Sequence, residues 1–150
     1  MENSKQISTF NDLIEINNDR VEGYETAASE TKEADLQALF AGLKATSHSN
    51  LSELRSEVQR LGGNVEEGTR TTGKFFRVWM DVKAALTGND RGTILDSCEF
   101  GEDKALEAYE TALENRTDLT PEQVTLIQGQ QSKLRADHDK VKALRDQANN

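Results

Sequence analysis

The sequence predicts an all-α protein, a four-helix bundle whose second and third helices are joined by one long crossover. Apolar residues recur at steps of three and four through most of the 150 residues, which is the period of one helix face. No stretch alternates with period two, so no sheet is expected. Two of the three connections between the stripes are short, and the middle one runs to about thirty residues, enough to return along a bundle and set the second and third long helices parallel.

The first stripe is Phe10, Leu13, Ile14, Asn17, Val21, Tyr24 and Ala28. Thr9 with Asp12 offers a weak capping box, so a helix is expected over about 8–30. The second stripe, Leu36, Leu39, Phe40, Leu43, Ser47, Leu51, Leu54, Val58 and Leu61, stops at Gly62-Gly63 and predicts a helix over about 33–62. Phe75, Trp79, Val82 and Leu86 predict a short helix, about 71–87, inside the crossover. Ile94, Leu95, Cys98, Glu102, Ala105, Leu106, Tyr109, Ala112 and Leu113 predict a helix over about 91–116. The last helix, about 120–148, opens on Thr120, Pro121 and Gln123, an N-cap, a first-turn proline and the reciprocal capping residue. Its stripe is Val124, Ile127, Gln131, Leu134, His138, Val141, Leu144 and Ala148. The chain therefore reads as one domain over 1–150, with a hairpin at about 8–62, a crossover at about 63–90 and a second hairpin at about 91–148.

Composition narrows the partners. The net charge is −9, and an acidic surface repels phosphate, so neither nucleic acid nor an anionic membrane is expected. One cysteine, Cys98, allows no internal disulfide and is read as a small core residue. The opening MENSKQISTF lacks the apolar run of a signal peptide, and no stretch approaches the ~18–20 apolar residues of a membrane span. A cytoplasmic location is expected.

The chain also writes one phrase twice. EGYETAASE at 22–30 matches EAYETALEN at 107–115, which sets Tyr24 on Tyr109 and Asn17 on Glu102. HSNLSELR, from His48, likewise matches HDKVKALR, from His138. Two related helical hairpins would place equivalent residues face to face near the centre of the bundle.

The segments NDLIEINNDRVEGYETA, FRVWMDVKAALTG and ILDSCEFGEDKALEAYETAL resemble small uncharacterised bacterial proteins of the ferritin-like superfamily. The resemblance implies a ferritin-like four-helix bundle of unknown activity. Di-iron members of that superfamily take one Glu from each of two helices and a Glu-x-x-His from each of the other two. Carried over, that pattern leaves Glu102, His48 and His138, with Asn17 where one carboxylate would stand and Ala45 and Arg135 at the other two. At about 100° per residue, His48 lies roughly 110° from the centre of its stripe, and Ser47 is the residue that turns inward.

Two readings follow. In the first the chain is a non-enzymatic structural or interaction protein with a degenerate di-metal site. No cofactor is then expected, and Glu102 pairs with His138 in a buried cluster that Asn17 closes. In the second it is a metal-binding protein, holding Fe, Mn or Zn on Glu102, His138, His48 and Asn17 in the core. Either is compatible with an unidentified protein partner or a homodimer.

Overall fold

The computed structural model describes residues 2–65 and 91–148. All regular structure among them is helical: α1 (Glu2–Glu30), α2 (Ala34–Arg60), α3 (Arg91–Glu114) and α4 (Pro121–Ala148), with a 3-10 turn at Arg116–Asp118. At about 1.5 Å per residue the four long helices measure ~36–44 Å each.

Thr31, Lys32 and Glu33 alone separate α1 from α2, which forces an antiparallel pair. Near the turn Tyr24 stacks on Phe40, centroids 5.7 Å apart, and at the far end the Asn11 amide donates to the Asn64 carbonyl. The pair α3 and α4 is antiparallel in the same way, with Tyr109 bonded to Gln130 and Asp103 beside His138. The hairpins face each other, α1 on α3 and α2 on α4. All four helices feed one core, for example Phe10, Leu13 and Ile16, then Leu36, Leu43 and Leu54, then Leu95 and Ala105, then Ile127, Leu134 and Val141.

The chain leaves α2 at the end of the bundle where Asn11 and Gln123 lie. It enters α3 at the other end, where Arg91 bonds to Glu33 and Asp35 at the head of α2. The connection from α2 to α3 thus joins opposite ends, and these two helices point the same way. The crossover helix expected at about 71–87, with Trp79, lies outside the described residues.

Local chemistry explains the ends. Gly62 has φ +80°, its N–H bonds to Gln59 O, and the Gly63 N–H reaches Val58 O at 3.0 Å. That pair of bonds is a Schellman stop, and it needs a residue that tolerates the left-handed region. At the head of α4 the capping box forms reciprocally: Gln123 N–H donates to Thr120 Oγ1 at 3.1 Å, and Thr120 N–H donates to Gln123 Oε1 at 2.9 Å.

One expected boundary is corrected. α1 begins at Glu2 rather than at about residue 8, so Thr9 and Asp12 lie inside the helix and not at its N-terminus. Tertiary contact holds the extra turns: Ile7 packs against the core, and buried Gln6 donates to Asp118 O and accepts from Gln123. The inner face of α4 is also turned from the expected stripe. Gln123 and Gln130 are buried where Val124 and Gln131 were expected, because Gln130 is drawn to Tyr109 and to the Asn50 carbonyl.

Gly62→Ala is expected to cost about 1–2 kcal/mol, the penalty of a side chain in left-handed backbone. Gly42→Ala, in mid-helix with nothing within 4 Å of the new Cβ, is expected to stabilise by roughly 0.5–1 kcal/mol. Urea unfolding of the two variants should shift in opposite directions, and shifts of the same sign would contradict this account of the turn.

Candidate functional site

Halfway along the bundle the apolar stripes give way to charged and polar side chains. Arg20 is the largest fully buried side chain among the described residues. It follows Leu13 by seven and precedes Ala27 by seven, so it sits on the inward stripe of α1, with Asn17 and Tyr24 one turn to either side. Its Nε donates to Glu102 Oε2 at 2.8 Å and its Nη2 to Glu102 Oε1 at 2.7 Å, a bidentate fork. Nη1 donates to Ser47 Oγ at 2.5 Å, and Nη2 also meets Asp137 Oδ2 at 3.3 Å. The Tyr24 hydroxyl donates to Glu102 Oε2 at 2.8 Å. Four helices thereby meet on one guanidinium–carboxylate pair.

The network continues through neutral groups. Ser47 Oγ donates to Asn17 Oδ1 at 2.8 Å, and Asn50 Nδ2 approaches the same oxygen at 3.3 Å. Asn17 Nδ2 donates to Leu13 O and to the Tyr109 hydroxyl, which donates onward to Gln130 Oε1 at 2.7 Å. Gln130 Nε2 ends the chain on Asn50 O and Glu53 Oε1. The two tyrosines of the matching phrases make crosswise contacts. Tyr24 bonds to Glu102, which matches Asn17, and Tyr109 bonds to Asn17 itself. The position matching Arg20 carries Ala105, so the centre holds one arginine rather than two.

Burial and charge set the protonation states here. Desolvation works against the Arg20 charge, but Glu102, Tyr24 and Asp137 together outweigh it and hold the guanidinium above its ordinary range. Burial pushes the Tyr24 and Tyr109 hydroxyls up, and at Tyr24 the Glu102 charge adds to the effect. Burial also raises the Cys98 thiol, which keeps it protonated and unreactive, as a small core residue should be.

The four residues singled out in the sequence fall in three places. Asn17 and Glu102 belong to the central network, linked through Ser47 and Arg20. His48 is exposed on α2, while its neighbour Ser47 is buried, as the helical angle predicts. His138 is buried but faces the flank between α3 and α4, so the expected Glu102–His138 pair does not form. Both Glu102 oxygens are occupied by Arg20, a charged partner with two parallel donors. Arg20, Asn50 and Gln130 were missed because the stripes admitted polar residues only at Asn17, Ser47, Glu102, Gln131 and His138; the heptad step from Leu13 to Arg20 was the available signal.

At the flank His138 Nε2 lies 2.8 Å from Asp103 Oδ1 and 3.9 Å from Glu99 Oε1, and Nδ1 lies 3.1 Å from Asp139 Oδ1. Glu99, Asp103 and His138 each offer a ligand atom within 4.8 Å of the others, and together they could hold a metal ion. Arg145 bonds to the other Glu99 oxygen, Oε2.

Among the described residues these features define an all-helical fold of four long helices with a polar, arginine-centred core. Residues 5–115 match the family described as "Domain of unknown function (DUF2383)", and the chain belongs to that family. The match covers α1 to α3, whereas Gln130, Asp137 and His138 stand on α4 beyond it. No curated protein matches the chain. No helix among the described residues is long and apolar enough to cross a membrane.

Arg20→Ala is expected to lose about 3–5 kcal/mol of stability, because it strands a buried carboxylate, and Arg20→Met with Glu102→Leu should regain most of that loss. Urea denaturation measures both, and a loss below ~1 kcal/mol for Arg20→Ala would show that water reaches Glu102.

The raised tyrosine hydroxyls set a second expectation. Above about pH 10 the unfolded chain releases those protons and the folded chain does not, so the stability they contribute is whole below pH 10 and falls as pH rises. The slope is about 1.4 kcal/mol per pH unit for each tyrosine. Denaturant titrations from pH 9 to 11 should show it, and Tyr24→Phe with Tyr109→Phe should remove most of it.

Proposed function

We propose that this chain is a non-enzymatic structural or interaction protein of ferritin-like architecture, whose centre is closed by an arginine where a di-metal protein would hold cations. One observation carries the reading: the bidentate Arg20–Glu102 pair in the middle of the core, fully buried on both sides. A guanidinium supplies the positive charge Glu102 needs, and it is covalently part of the chain. A cation entering there would meet a fixed positive charge, an amide at Asn17 in place of a carboxylate, and no imidazole from exposed His48 or flank-facing His138. We therefore read Asn17, Glu102, His48 and His138 as an unsuitable ligand set for Fe, Mn or Zn in the core.

The crosswise tyrosine contacts support a duplicated hairpin as the origin of the fold. The single cysteine, buried and protonated, fits a cytoplasmic setting. The net charge of −9 favours a protein partner, or a second copy of the chain, over nucleic acid or an anionic membrane. Phe100, half exposed on α3 beside Lys104, is where such a partner would gain apolar contact.

Iron chemistry tests the reading. Fe²⁺ added anaerobically to the purified chain and then exposed to air should oxidise no faster than in protein-free buffer. Saturable acceleration that survives Asp103→Asn, and so cannot come from the flank, would overturn it.

A further inference from the structure

His138 is 7% exposed, and carboxylate oxygens face both of its ring nitrogens. A neutral imidazole has one N–H, so one nitrogen would aim its lone pair at an anion. A metal cation on that side would take the lone pair and the facing carboxylate oxygens of Asp103 and Glu99 together.

We propose that Glu99, Asp103 and His138 bind a single divalent transition-metal cation of the Zn²⁺ class, which staples α3 to α4, with Asp139 as the positioning residue.

Each part of the site has its place. Glu99 and Asp103 are four apart on α3, so both carboxylates project from one face towards α4. With the metal bound, Asp139 Oδ1, 3.1 Å away, would accept the Nδ1 proton, and the Nε2 lone pair would be directed at the ion between Asp103 and Glu99. A carboxylate on the far nitrogen is the usual support of a metal-bound histidine. Arg145 engages Glu99 Oε2 and leaves Oε1 on the side of the ring. Tetrahedral ligands at about 2.0–2.1 Å from Zn²⁺ stand roughly 3.3–3.4 Å from one another. The Nε2–Asp103 separation of 2.8 Å would open and the Nε2–Glu99 separation of 3.9 Å would close, each by about half an ångström.

Ligand chemistry names the metal class. One imidazole with two carboxylates suits a borderline first-row ion, and the affinity order among those ions favours Zn²⁺ over Mn²⁺ and Fe²⁺. Mg²⁺ and Ca²⁺ prefer all-oxygen shells. Solvent completes the coordination, since Asp103 is half exposed. The inference is independent of the arginine-centred core, which shares none of these side chains.

The test is calorimetric titration of ZnCl₂ into tag-free, chelator-stripped full-length chain. One ion per chain is expected, with a rise in melting temperature that tracks zinc concentration. Asp103→Asn, at an exposed position that the fold does not need, should weaken binding at least about tenfold, and His138→Gln should weaken it further. Asp139→Asn should weaken it by roughly ten- to a hundredfold, the usual penalty for losing the outer partner of a ligand histidine. His48→Gln, which removes the other of the two histidines, should leave binding unchanged. The proposal fails if zinc gives no saturable heat at millimolar concentration, or if binding survives Asp103→Asn and disappears in His48→Gln. Equal competition by Mg²⁺ would likewise overturn the assignment of class.

Discussion

The buried ion pair between Arg20 and Glu102 is the constraint around which the bundle is arranged. Moving two charges out of water costs several kcal/mol for each ion, and the pair is tolerable only when nearly every lone pair and N–H finds a partner. Here all three guanidinium nitrogens are engaged, and both Glu102 oxygens accept bonds. Those partners come from different helices, so the pair cannot be satisfied by any one hairpin. Sliding α3 by one turn, about 5.4 Å, would part Glu102 from Arg20 and Tyr109 from Asn17 together. An apolar stripe alone would tolerate such a slip far better, because leucine contacts are not directional.

The same arrangement separates two charged clusters. In the centre the cation is Arg20, which cannot leave and which keeps its proton at any pH the protein survives. At the flank the carboxylates of Asp103 and Asp139 gather around the two ring nitrogens of His138. The centre is thereby closed to exchange with solvent, while the flank remains open to it through Asp103. Membership of DUF2383 joins this chain to a family described as a domain of unknown function.

The ends of the bundle are held by lesser means. At one end Arg91 spans from α3 to Glu33 and Asp35, an exposed cluster of modest worth. At the other, Gln6, Gln123 and Glu57 form a partly buried amide–carboxylate cluster beside the Schellman stop and the capping box. This second end explains why α1 begins six residues before the expected start at about residue 8: the extra turns are held by contacts with residues more than a hundred positions away.

Four helices, their order, the long middle connection, the glycine stop after Arg60 and the capping box at Thr120 were all legible in the sequence. Each depends on residues within a turn or two of one another, and the period of 3.6 even turned Ser47 inward and His48 out. The same period placed Arg20 on the inner face of α1, but phase alone does not say whether a charged residue at such a position finds a partner or reaches solvent. That outcome depends on axial register between segments some eighty residues apart, and a shift of one residue changes which side chains meet. Only the tertiary structure decided that Glu102 belongs to Arg20 and Tyr24, that His138 turns to Asp103, and that Gln130 rather than Gln131 enters the core. Helix phase is a local property of the chain, whereas the pairing of buried polar groups is chosen by the whole fold, because each such group must be satisfied by whatever the other helices bring within about 3 Å.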